Sequence, residues 1–214
     1  MFTLAHLIPT AFPALVLAHF VALLSPGPDF FLLTGHAIRH RLAGSAFICL
    51  GIATGNAVYI LLAISGWHGL TQQPWLFTAV EITGALYLCW LGYQLIRSPI
   101  RQLQLPQQTH ALTPGRQFVI GLSSALLNPK NALFYMSLLA VILGNNVTLW
   151  QQAFCGVWMF FAVLGWDLLI AVLIGHHRLQ RVLNHQLYLI ERGAGVILTG
   201  LGLALLFHKL NFIS

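Results

Sequence analysis

Six stretches of this chain are too long and too apolar to rest anywhere but in hydrocarbon. They run over residues 10–35, 43–66, 74–96, 117–143, 150–175 and 188–207. Each meets the ~20 residues that a helix needs to cross ~30 Å of lipid interior. Lipid offers backbone groups no partner, so each stretch is expected to be a helix that satisfies its own N–H and C=O groups. Composition agrees, since 7% of the 214 residues are charged and 58% hydrophobic, against about 25% charged in a soluble domain. The chain therefore reads as all-α and integral to a membrane, with one transmembrane domain over 1–214 and no second domain. Its start, MFTLAHLIPT, lacks the Lys/Arg-rich opening of a cleavable signal peptide, so the first stretch is expected to be a true span.

The few cations carry topological information rather than a nucleic-acid surface. Arg39 and Arg41 lie between spans one and two, and Arg97, Arg101 and Arg116 in the Gln- and Pro-rich connection 97–116. Arg178 and Arg181 lie between spans five and six, while the opposite face has only Lys209. Positive loops stay cytoplasmic, so 97–116 is expected to be a cytoplasmic loop and both termini periplasmic. Trp67, Trp75 and Trp150 fall at the opposite ends of the spans, where an interfacial aromatic belt belongs. Cys49, Cys89 and Cys155 sit apart in apolar stretches and read as small hydrophobes.

Two of the spans are interrupted. LSPGPDFFLL (24–33) puts Pro26, Gly27, Pro28 and Asp29 inside an apolar run, and ALLNPKNALF (125–134) puts Asn128, Pro129, Lys130 and Asn131 inside another. A proline in a helix removes a donor and clashes with the carbonyl four residues earlier. Pro26 and Pro28 are thus expected to strand the carbonyls of Ala22 and Leu24, and Pro129 that of Ala125. Asn128 before Pro129 reads as an N-cap followed by a proline at the first helical position. Gly27 before Pro28, or Ser25 before Pro26, can open a half-helix in the same way.

The breaks stand 103 residues apart, each in the first span of a three-span half. Repeat one covers about 10–96 and repeat two about 117–207. Asn56 in span two has a polar counterpart in Asp167 of span five, and GALYLCWLG (84–92) loosely echoes GAGVILTGLG (193–202). Three spans per half invert the second half relative to the first. Inverted repeats with matching interrupted helices point to a secondary transporter with a midplane site. The N–H groups of Asp29 and Phe30, and of Lys130 and Asn131, are expected to attract anions. The stranded carbonyls are expected to attract cations, so an amino acid fits the two poles.

The chain has four acids, Asp29, Glu81, Asp167 and Glu191, and a charge deep in a span marks a functional site by default. Asp29 and Lys130, one after each break, are expected to pair at rest and to meet the solute in transport; Asp29 is alternatively the carboxylate that carries a proton. Asp167 is a weaker candidate, and Glu81, Glu191 and Arg192 read as structural. His19 reads as a hydrogen-bonded core histidine rather than a proton shuttle, and His176, His177 and His185 as interfacial residues. Gly51 and Gly55 form a GxxxG pair that lets another helix approach closely. No GxSxG, HExxH or Walker loop occurs, so the chain is not read as an enzyme and no cofactor or metal is called. Rival readings are a cation or metal-ion exporter, which needs several carboxylates or thiols at the midplane, and a membrane-embedded enzyme.

SPGPDFF (25–31), YLCWLGYQLIR (87–97) and LLNPKNALFY (126–135), in that order and spacing, resemble the LysE/RhtB family of amino-acid exporters. HFVALLSPGPDFF and LYLCWLGYQ are most similar to its threonine/homoserine efflux members. The resemblance implies a carrier in the bacterial inner membrane that expels amino acids in exchange for protons and assembles as a homo-oligomer. It places the functional motifs on Pro26, Gly27, Pro28 and Asp29 and on Asn128, Pro129 and Lys130. Many members carry an acid in span two where this chain has Asn56, which leaves the proton to Asp29 or Asp167.

Overall fold

A computed structural model describes residues 8–25, 27–97, 112–143, 147–174, 189 and 192–207. Among them every regular element is a helix. In chain order they are α1 (Phe12–Leu23), α2 (Pro28–His40), α3 (Ala46–Thr71), α4 (Pro74–Ile96), α5 (Pro114–Leu126), α6 (Pro129–Leu143) and α7 (Leu149–Ile174), then α8 (Arg192–Phe207). Ala46–Gly66, Thr78–Ile96 and Leu149–Ile174 are each long and apolar enough to cross a bilayer. The pair α1 and α2 is together long and apolar enough for one more crossing, bent by 59° at the break. The outward surface carries Leu61, Trp90, Val157, Phe161 and Val196, each more than half exposed. So continuous an apolar surface belongs against lipid, not water.

Both breaks fall where the prolines put them. At the first, Gly27 is the N-cap and Pro28 opens α2, which decides between the two starts open to the sequence. Pro26 lies outside the described residues. At the second, Asn128 separates α5 from α6, and its Oδ1 accepts the backbone N–H of Lys130 at 3.1 Å. That is the N-cap bond expected of an Asn-Pro pair.

Several boundaries move. The first span runs on to His40, so Arg39 sits in the last turn of α2 and Arg41 is its C-cap, where cations complement the helix dipole. Span four starts earlier than residue 117, because Thr113 precedes a proline suited to the first helical position of α5. Arg116 therefore lies in a helix, not in the loop. Arg101, Arg178, Arg181, His176, His177, His185, Glu191 and Lys209 lie outside the described residues. Trp75 and Trp150 are both 70% exposed, as the interfacial assignment requires.

The two halves of each broken span go to different cores. One core gathers Leu15 and Ala18 of α1, Leu88 of α4, Leu138 of α6 and Leu198 of α8. The other gathers Leu33 of α2, Ile52 of α3, Ala125 of α5 and Val163 of α7. Accordingly α1 packs on α6 and α2 on α5, so the two broken spans pass each other head to tail. Glycines make the closest crossings possible. A Cβ at Gly51 would meet the Phe118 carbonyl oxygen at 2.2 Å, and one at Gly55 the Ala125 Cβ at 2.6 Å. This is the close approach expected of the GxxxG pair, here to α5. The glycine-rich echoes in α4 and α8 face each other, since a Cβ at Gly92 would sit 2.6 Å from the Gly195 carbonyl oxygen.

Candidate functional site

Where the broken spans cross, a cavity of about 60 Å³ opens between the two cores. One water needs ~10–15 Å³ of such space, so the cavity has room for a few waters or the polar head of a small solute. Gly27, Asp29, Asn56, Asn128, Lys130, Asn131 and Asp167 all line it. Pro28 and Pro129 take part differently, as the first residues of α2 and α6. Phe30, Phe134, Tyr135 and Trp166 supply apolar and aromatic walls, the mixture usual for a small-molecule site.

Asp29 is the most heavily bonded group there. Its Oδ2 accepts Asn131 Nδ2 at 2.7 Å and Asn128 Nδ2 at 3.1 Å, and its Oδ1 accepts the Ser124 hydroxyl. The carboxylate of the first break is thus held by three donors of α5, α6 and the second break. Lys130 returns the contact, its Nζ donating to the carbonyl oxygen of Ser25 at 2.9 Å and to the Ser25 hydroxyl at 2.8 Å. Each break therefore places its charged residue on polar groups of the other break.

Two of the carbonyls expected to be stranded, those of Ala22 and Ala125, are a correction. Ala22 O accepts the N–H of Ser25 at 3.1 Å, and Ala125 O accepts that of Asn128 at 3.3 Å and Asn131 Nδ2 at 3.4 Å. Leu126 O accepts the hydroxyl of Tyr59 from α3. A helix end leaves carbonyls without intrahelical partners, and in lipid an unmet one is costly enough that tighter turns and neighbouring side chains fill them. The cation-attracting carbonyl is instead that of Ser25, and Lys130 occupies it. The anion-attracting amides need a similar correction at α6, because Lys130 N–H goes to Asn128 Oδ1 and Asn131 N–H to Asn128 O. At α2 the N-cap is a glycine with no side chain to offer.

Asn56 is 4% exposed. Its Oδ1 and the Oδ2 of Asp167 are buried with no hydrogen-bond partner among the described residues. His19 is fully buried, with Nε2 3.3 Å from the Tyr135 hydroxyl and rings of Phe134 and Trp158 around it, a core histidine as read. Among the described residues no three His, Cys, Asp or Glu side chains gather as a metal ion would need. Ser124 and Tyr135 escaped the sequence reading, and Ser25 entered it only as an alternative helix start, not as the partner of Lys130. The signal for two of them was present, because Ser124, Asn128, Asn131 and Tyr135 recur at spacings of four, three and four, one face of a helix.

The family profile described as LysE type translocator matches residues 20–209. The chain belongs to that family. The threonine efflux protein of Escherichia coli K12 is 31% identical to this translocator over 204 residues, 92% of this chain and 98% of that one. That of Salmonella typhi is 30% identical over 211 residues, with the same coverage. The leucine efflux protein of Klebsiella pneumoniae is 30% identical over 125 residues, 58% of this chain and 59% of that one. No solved structure matches the translocator.

Proposed function

We propose that this translocator exports small amino acids, threonine- or homoserine-like ones first, across the bacterial inner membrane in exchange for protons. The observation that carries the reading is the cavity at two crossing helix breaks, where one charged residue from each break meets the other break. In this reading Lys130 and the uncapped first turn of α2 receive the solute carboxylate. Asp29 keeps the breaks in register.

Six crossings in two inverted three-helix repeats are part of the proposal, with repeat one at about 10–96, repeat two at about 117–207 and both termini periplasmic. Three pairings support it, because elements in matching positions of the two halves pack on each other: α3 on α7, α4 on α8 through Gly92 and Gly195, and the two broken spans. A homo-oligomer and a cytoplasmic 97–116 connection complete the reading.

The test is counterflow of labelled amino acids in proteoliposomes, scanned across the common amino acids with and without an imposed pH step. Threonine or homoserine counterflow that quickens with the pH step is the expected result. No counterflow of any amino acid, or counterflow indifferent to pH, sinks export or proton exchange respectively. Lys130→Gln is expected to lose export by at least tenfold while the protein remains inserted.

A further inference from the structure

Two acceptors in the cavity wait for a donor. Asn56 on α3 and Asp167 on α7 both line the cavity, on helices that pack together, and Asn56 Oδ1 and Asp167 Oδ2 are buried with no partner among the described residues. An unmet buried acceptor costs about 1–3 kcal/mol, and more when charged, so two of them on residues that line one cavity call for an explanation. Asp29 differs, because both its oxygens already accept hydrogen bonds from three side chains.

We infer that Asn56 Oδ1 and Asp167 Oδ2 form the subsite for the primary ammonium of the solute, and that a proton on Asp167 takes its place when the solute leaves. This rests on the reading that the cavity carries amino acids. A primary ammonium offers three donors and no acceptor; these two oxygens take two of them, and the cavity has room for a water on the third. Ca²⁺ or Mg²⁺ takes six or more oxygens, and among the described residues no three His, Cys, Asp or Glu side chains gather to hold a metal ion. The exchange balances: ammonium arrives on the carboxylate as the proton departs from it, one positive charge for one. Asp29 is on this account a clamp between the breaks, not a solute ligand.

Equilibrium binding to the purified full-length protein tests this without requiring transport. Labelled threonine is competed by threonine amide, which keeps the ammonium, and by 2,3-dihydroxybutyrate, which keeps only the carboxylate. The amide is expected to compete within tenfold of threonine and the hydroxy acid at least tenfold more weakly. Asp167→Asn and Asn56→Leu are each expected to weaken threonine binding at least tenfold. Asp167→Asn is also expected to abolish the proton released on binding in weakly buffered solution, which a merely structural role would not move. Equal competition by the hydroxy acid, wild-type proton release in Asp167→Asn, or no binding of either ammonium compound overturns the inference. Should a variant fail to fold, the wild-type competition and proton release decide. Ammonium binding without amino-acid counterflow in proteoliposomes would instead overturn the export reading alone.

Discussion

At the break between α5 and α6, Asn128 caps the new helix with its own side chain, while Asn131 and Tyr59 cover the carbonyls behind it. At the break between α1 and α2, the cap is Gly27, which has no side chain to offer. The two breaks share a proline and a following charge, yet one is capped by an asparagine side chain and the other by a glycine that lines the cavity. The difference teaches that a broken membrane helix is not in itself a binding site. Its loose backbone groups are available to a solute only where the fold declines to fill them.

The largest way to break this comparison is to remove the carboxylate that joins the breaks. Asp29→Ala leaves Ser124, Asn128 and Asn131 without their shared acceptor and is expected to cost about 3 kcal/mol, read as lost thermal stability in detergent together with lost export. A variant as stable as wild type would show that the clamp does not hold the breaks.

Asn131→Leu takes one donor from Asp29 and one from the Ala125 carbonyl. Polar contacts between membrane helices average about 0.6 kcal/mol and reach about 1.7, so a loss of about 1–2 kcal/mol is expected, smaller than for Asp29→Ala. Unfolding in mixed micelles orders the two variants, and a reversed order would assign the clamp to Asn131 instead.

Gly27→Ala sharpens the comparison with the least disturbance. Its φ of −129° and ψ of −172° suit any residue, and the added Cβ would sit 3.8 Å from Asn128 Nδ2 and from Lys130 Nζ, ordinary contacts. Replacing a glycine N-cap by alanine costs only about 0.5 kcal/mol, so stability should hardly move. The methyl nevertheless enters the cavity beside the proposed carboxylate pole, and KM for export is expected to rise severalfold with little change in kcat. An unchanged KM would place the carboxylate away from the first turn of α2.

Much of the site was legible because the rules involved are local. The gap before Pro129, the cap by Asn128 and the charge of Asp29 just after a break all follow from residues within four positions of one another. Which oxygen would be empty was not legible. Asp167 read as a lesser candidate than Asp29, yet Asp29 is surrounded by donors while Asp167 Oδ2 has no partner among the described residues. The carbonyl of Ala125 was read as open, yet Asn128 N–H and Asn131 Nδ2 meet it, and Tyr59 reaches the neighbouring Leu126 carbonyl from 67 residues away.

The sequence by itself determined that the chain lives in a membrane, that two of its helices break, and that polar residues cluster at those breaks. Hydrophobicity and proline sterics act over a single turn or a single span, so one strand of letters carries them. Only the tertiary structure decided which broken ends are filled and which acceptors remain. Those partners arrive from helices about a hundred residues distant, as Lys130 does to Ser25, and only packing brings them within hydrogen-bond reach.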